Sequence, residues 1–265
     1  MFIDTHAHIY LPQFDDDRDE TLNRARKAGV EKILMPNIDL TSVESLHRVE
    51  QRYPAMCHSM MGLHPCSVDK HFAEHLDGIL AHLDSRDYIA VGEIGLDLYW
   101  DKTYLEEQIE AFKLQTQWAH KRGLPIVIHS RESTKELLQI LEGLALPGLR
   151  GVFHCFSGNA DEGKRIVDLG FFLGIGGVVT FKNGGLDQVL PEISLEHLIL
   201  ETDAPYLAPH PYRGKRNESA YIPLIAEKLS AIYDGSIELI AEQTSKNAQT
   251  LFGPLMPPKD TNTAS

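Results

Sequence analysis

The chain has 265 residues, 43% of them hydrophobic, enough to bury one large core and in the range of single α/β domains. Its formal net charge of -13 excludes a broad electrostatic footprint for duplex DNA, because such binding draws on Lys and Arg neutralising phosphates. No apolar run approaches the roughly 20 residues of a membrane-spanning helix, which excludes an integral membrane protein built of helices.

The opening Met1-Phe2-Ile3-Asp4 lacks the basic start and long apolar stretch of a secretion signal. Cys57, Cys66 and Cys155 suit neither a disulfide framework nor paired zinc ligands, so a cytoplasmic protein with reduced thiols is expected.

Eight β-prone segments follow one another along the chain: Met1 to Thr5, Lys32 to Met35, Cys57 to Gly62, Tyr88 to Gly92, Pro125 to Ile128, Gly151 to Phe153, Phe171 to Ile175 and Leu198 to Leu200. Helical periodicity fills the spaces between them. It is clearest from Tyr104 to Lys121, where Leu105, Ile109, Phe112 and Ala119 share one face, Thr103 with Glu106 forms an expected capping box, and Gly123 supplies the stop. Strands alternating with helices imply parallel strands and right-handed crossovers, and eight such units close a barrel. An open doubly wound sheet is the rival, but no strand leads into a glycine-rich phosphate fingerprint. The expected fold class is therefore α/β, a single (β/α)8 TIM barrel over residues 1–252. Helices from Ala220 to Tyr233 and Ile237 to Phe252 follow the last strand, the second being extra. Residues 253–265, rich in Pro, Thr and Asp, read as a mobile tail.

Polar residues gather where the apolar runs end. His6 and His8 are one residue apart after the first run, so extended backbone points both rings to one side. The fourth run delivers Glu93, the fifth His129, the sixth His154 and the eighth Asp203, with Asp97 better placed to shape a loop or support a ligand than to bind an ion. In a parallel barrel all strand C-termini open on one face, so these residues converge despite their separation in sequence. Four imidazoles and two carboxylates in one mouth form a ligand set for two divalent metal ions. Mixed nitrogen and oxygen donors suit zinc or manganese, and magnesium prefers more oxygen. Apart from His64, which ends the third run, the remaining histidines, among them the pair His71 and His75, do not end strands in this pattern.

Five phrases carry a closer likeness: Asp4-Thr5-His6-Ala7-His8, Gly62-Leu63-His64-Pro65, Gly92-Glu93-Ile94-Gly95-Leu96-Asp97, His154-Cys155-Phe156-Ser157-Gly158 and Glu201-Thr202-Asp203-Ala204-Pro205-Tyr206. Together the chain resembles the TatD family of metal-dependent deoxyribonucleases within the amidohydrolase-like superfamily. The late basic motif Arg213-Gly214-Lys215-Arg216-Asn217-Glu218 also matches, with Ser219 where proline is expected, a departure that bears on loop stiffness. Where many two-metal relatives in the superfamily carry a carboxylated lysine, this chain has Glu93.

The resemblance implies a cytoplasmic exonuclease-like DNase in which His6, His8, Glu93, His129, His154 and Asp203 are metal ligands. The residue reading assigns His6, His8 and Asp203 to one ion, His129 and His154 to the other, and Glu93 to both. Asp203 takes the proton of a metal-activated water, and His64 donates to a phosphate oxygen or the leaving group. Arg131, Arg213, Lys215 and Arg216 are the expected phosphate contacts, and Trp100, Tyr206 and Tyr212 are placed to stack on bases. The expected partner is DNA with single-stranded or frayed ends, with no obligate protein partner. The same metal core suits a small-molecule amidohydrolase or lactonase, and a barrel kept as a non-catalytic interaction protein would be expected to have lost a ligand.

Overall fold

A computed structural model describes residues 1–255 of the chain. Its strands are β1 (Phe2–Asp4), β2 (Val30–Met35), β3 (Cys57–Ser59), β4 (Val91–Asp97), β5 (Ile126–Arg131), β6 (Gly151–Phe153), β7 (Phe171–Ile175) and β8 (Leu198–Leu200). Between and after them run α1 (Arg18–Lys27), α2 (Val43–Arg52), α3 (Phe72–Ser85), α4 (Leu105–Arg122), α5 (Thr134–Leu144), α6 (Ala160–Asp168), α7 (Leu186–Val189), α8 (Ile222–Ile232) and α9 (Ile237–Phe252). Among the described residues no helix is long and apolar enough to cross a membrane.

All neighbouring strands pair in parallel, in the orders β1-β2-β3 and β4-β5-β6-β7-β8. Backbone bonds stitch both seams between the two sheets. Gly92 N donates to Met61 O at 3.0 Å on one side. On the other, Thr5 N donates to Leu200 O at 3.0 Å, His8 N to Ala204 O at 2.7 Å and Asp203 N to His6 O at 2.8 Å. Buried Asp4 reinforces the second seam, accepting from Thr202 Oγ1 at 2.6 Å and Thr202 N at 2.9 Å. The strands thus form the expected TIM barrel.

Inside the barrel, Ile3, Leu34, Met60, Ala90, Val127, Val152 and Ile199, each from a strand or its flank, pack together with Phe172. Ala248, Leu251 and Phe252 of α9 join this cluster, so the extra helix covers one end of the barrel. Leu255 is buried there too, which attaches residues 253–255 to the fold rather than to a tail. The rest of the expected tail, 256–265, lies outside the described residues. A larger apolar layer separates strands from helices.

Three expectations need correction. The fourth strand runs from Val91 to Asp97 rather than from Tyr88 to Gly92, because a register shift between Val91 and Ile94 absorbs a residue and lets the chain continue along β5. β5 continues past Ile128 to Arg131, so His129 lies within a strand and Arg131 ends it. α4 starts at Leu105 with no side-chain cap; Thr103 instead donates its N–H to Asp101 Oδ1 at 2.8 Å, so the capping box is absent. Gly123 does end α4, in the left-handed conformation that a side chain disfavours.

Candidate metal centre

Strand periodicity carries interior residues up into the mouth. Val127 leads to His129 and Val152 to His154 two residues on, while Ile199 leads to Glu201 and then Asp203. On β4 the register shift turns Glu93 inward as well.

Glu93 is the centre of the arrangement. Its Oε2 lies 3.2 Å from His6 Nε2 and 3.5 Å from His8 Nε2, and its Oε1 lies 2.8 Å from His129 Nδ1, 2.8 Å from His154 Nε2 and 3.2 Å from His64 Nε2. Asp203 Oδ1 approaches His6 and His8 at 3.7 and 3.6 Å. The structure therefore brings together all six sequence-assigned ligands and His64, and divides the donors between the two oxygens of one carboxylate. Four of them form a buried floor, with Glu93 only 3% exposed. Asp203, His64 and His129, at 14 to 15%, form the rim that solvent reaches.

Partners outside the floor set which ring nitrogen is bare. Tyr10 Oη donates to Pro36 O at 2.6 Å, so it accepts from His8 Nδ1 at 3.0 Å and leaves His8 Nε2 facing inward with its lone pair. Asp97 Oδ2 accepts from His129 Nε2 at 2.9 Å, which turns Nδ1 to the site. His64 is the reverse case. Its Nδ1 accepts from Cys66 N at 3.0 Å, so a neutral ring carries its proton on Nε2, aimed at Glu93. His64 is thereby built as a hydrogen-bond donor, although its position would also let it complete a ligand group with Glu93 and His129.

The electrostatics fit a cation. Burial works against a charge on His8, yet Asp203 and Glu93 push its pKa up to about 10. Burial opposes a charge on His154 too, but Glu93 and Glu201 hold its pKa well above the usual value. Burial alone would raise Glu93, yet His154, His64 and His6 keep its carboxyl well below the carboxylate range. Nitrogen and oxygen donors in this field suit divalent metal ions, and within each of three groups, His6 with His8 and Asp203, His6 with Glu93 and His154, and His64 with Glu93 and His129, the ligand atoms lie within 4.8 Å of one another.

Two backbone features hold these positions. Asp203 sits at φ 58, in the left-handed region that Asp tolerates better than most residues, fixed by its N–H bond to His6 O. Glu201, which sequence reading left unassigned, is fully buried, accepts from Cys155 N at 2.6 Å and lies 3.5 Å from His154 Nδ1. Gly174 makes room for it, since a Cβ there would fall 2.2 Å from Glu201 Oε2. The period-two spacing from Asp203 was the signal available for Glu201. Glu201→Gln is expected to weaken metal affinity about 10- to 100-fold, measured by competition with a chromogenic chelator.

The expected phosphate contacts separate. Arg131, Arg213 and Lys215 are exposed, with Arg131 over the ring of Tyr99 and Arg213 over that of Phe181. Arg216 is committed elsewhere, through bonds of 2.7 Å to each Asp17 oxygen and one of 2.6 Å to Gln13 O. Glu218 in turn accepts from Arg24 of α1, and Asn217 Nδ2 donates to Thr202 O and Tyr206 O at 2.7 Å. The second half of the basic motif thus clamps the loop, with Arg216, an expected phosphate contact, held by Asp17 and Gln13. Arg216→Ala is expected to cost about 1 kcal/mol, a melting temperature lower by about 2–4 °C, and Arg213→Ala, which loses only an exposed contact with the Phe181 ring, less. Tyr212 stacks on Tyr221 at 4.3 Å, whereas Trp100 and Tyr206 are exposed.

Residues 3–253 match the family model described as TatD related DNase. The uncharacterized metal-dependent hydrolase YabD of Bacillus subtilis is 36% identical over 253 residues, 95% of this chain and 99% of that one. The 3'-5' ssDNA/RNA exonuclease TatD of Salmonella typhimurium is 34% identical over 257 residues, 94% of this chain and 98% of that one. The crystal structure of the TatD homologue YjjV of Escherichia coli superposes with a TM-score of 0.89 at 32% identity, covering 95% and 97% of the two chains.

Proposed function

The chain belongs to the family of TatD-related DNases and is a metal-dependent hydrolase; from that premise we propose that it removes nucleotides from single-stranded or frayed DNA ends by phosphodiester hydrolysis. The observation that carries this reading is the split of Glu93, one oxygen toward His6 and His8 and the other toward His129 and His154. A relative of 34% identity named as a 3'-5' ssDNA/RNA exonuclease supports the choice of substrate.

In this reading His6, His8 and Asp203 would hold one divalent ion, His129 and His154 the other, and Glu93 both, with magnesium, manganese and zinc as the candidates. When bound, such ions supply a water acidified to a pKa of about 7 and positive charge for the phosphate oxygens. Asp203 stands at the open rim with Oδ1 toward His6 and His8, leaving Oδ2 to accept the attacking water's proton. His64 presents Nε2–H from the same rim and donates it to a phosphate oxygen or to the leaving oxygen. Arg131, Arg213 and Lys215 offer the exposed positive charge that the net charge of -13 conceals.

End-labelled single-stranded DNA, incubated with metal-stripped protein and then with magnesium, manganese or zinc, tests this. The expected result is stepwise loss of terminal nucleotides only after an ion is restored. Hydrolysis of a lactone or amide by metal-loaded protein that leaves DNA intact would overturn it in favour of a small-molecule hydrolase.

A further inference from the structure

Past the end of β4 the chain exposes two large aromatic rings in succession, Tyr99 at 51% and Trp100 at 69%. Exposed rings of this size lose the apolar burial that stabilises most aromatics, and paired ones beside a site mark contact surfaces. These two are held in place. They meet edge to face at 4.9 Å, and the Arg131 guanidinium lies 4.0 Å from the Tyr99 ring and 5.2 Å from the Trp100 ring. Among the described residues no carboxylate pairs with Arg131, so its charge stays available beside the rings.

Buried Asp97 joins this patch to the metal centre. Its Oδ1 accepts from the backbone N–H of Tyr99 at 3.0 Å and of Trp100 at 3.1 Å, while its Oδ2 accepts from His129 Nε2 at 2.9 Å. Leu98 N also donates to Arg131 O at 2.9 Å, tying the aromatic turn to the strand that carries His129. One carboxylate therefore fixes both the orientation of a candidate ligand and the position of an aromatic, cationic surface next to it.

We propose that Tyr99, Trp100 and Arg131 form a base-stacking subsite for single-stranded nucleic acid, held in register with the hydrolytic centre by Asp97. The inference rests on the nuclease reading above and deepens it. An aromatic face with a neighbouring guanidinium recognises any unpaired base by its π-face and the adjoining phosphate by charge, without selecting sequence. Bases stacked within a duplex do not offer that face, so the subsite favours unpaired ends.

The test compares a phosphorothioate oligothymidylate with an abasic oligomer of equal length, each labelled at one end, binding to the metal-loaded protein in fluorescence anisotropy. Wild type is expected to bind the intact oligomer about tenfold more tightly. Trp100→Ala is expected to abolish that preference while still binding the abasic strand, and Trp100→Phe to retain most of it. No preference in wild type, or one that survives Trp100→Ala, overturns the subsite. Cleavage assays on the same proteins separate this from the activity itself: base preference without cleavage defeats the nuclease reading and keeps the subsite, and cleavage without base preference does the reverse.

Discussion

Glu93→Ala is expected to lower metal-dependent hydrolysis by at least about a hundredfold, more than any other single substitution in the site. The side chain faces both donor groups at once, so its loss removes the shared anion from five histidines and not from one subsite alone. All five of those imidazoles have Glu93 among the groups that favour their charged form, and without it they sit desolvated with less compensation. Glu93→Gln separates the two contributions, because it keeps the shape of the side chain and removes the charge. Turnover measured with saturating metal checks both variants, with circular dichroism showing that each is folded. Activity within a few-fold of wild type in Glu93→Ala would exclude a bridging role.

The second large effect is expected from Gly95→Ala. Gly95 pairs with His129 across β4 and β5, and a Cβ on it would lie 2.0 Å from the His129 carbonyl oxygen. That atom belongs to a backbone fixed on both sides by strand pairing, so the clash cannot be relieved by turning a side chain. A cost of about 3 kcal/mol or more is expected, lowering the melting temperature by about 6–12 °C. Gly123→Ala is the control. It also has positive φ, but nothing lies within 4 Å of the added carbon, so its cost is about 1 kcal/mol, from backbone conformation alone. Equal shifts in the two variants would show that close approach to His129 is not what Gly95 serves. Weakened metal binding in any folded Gly95→Ala protein is expected as well, because the displaced backbone carries His129.

Much of this was legible in the sequence, for a reason that particular residues make plain. Val127 and His129, Val152 and His154, and Ile199 and Asp203 are separated by even numbers of residues, so the alternation that buries each apolar side chain also delivers the polar one to the barrel mouth. Local patterning suffices where strand and site share one periodicity. It failed at β4, where a bulge breaks the period and moves the strand three residues onward. It did not reveal the clamp at Arg216, whose partner Asp17 lies 199 residues away and follows a different strand. Tyr10 went unmarked in the sequence, and only the folded geometry shows that it selects the bare nitrogen of His8; Asp97 was expected to shape a loop or support a ligand, and its bonds to Tyr99 N, Trp100 N and His129 Nε2 do both. His64 was expected as a donor from its position together with the family likeness, and the bond from Cys66 N gives that expectation a physical cause.

The division of donors across Glu93 makes a claim about number, and counting ions tests it most directly. Protein reconstituted with manganese, desalted and analysed for bound metal by mass spectrometry is expected to carry two ions per chain. Glu93→Ala, still folded, is expected to carry fewer. A wild-type protein that saturates at one ion per chain would contradict the bridged pair.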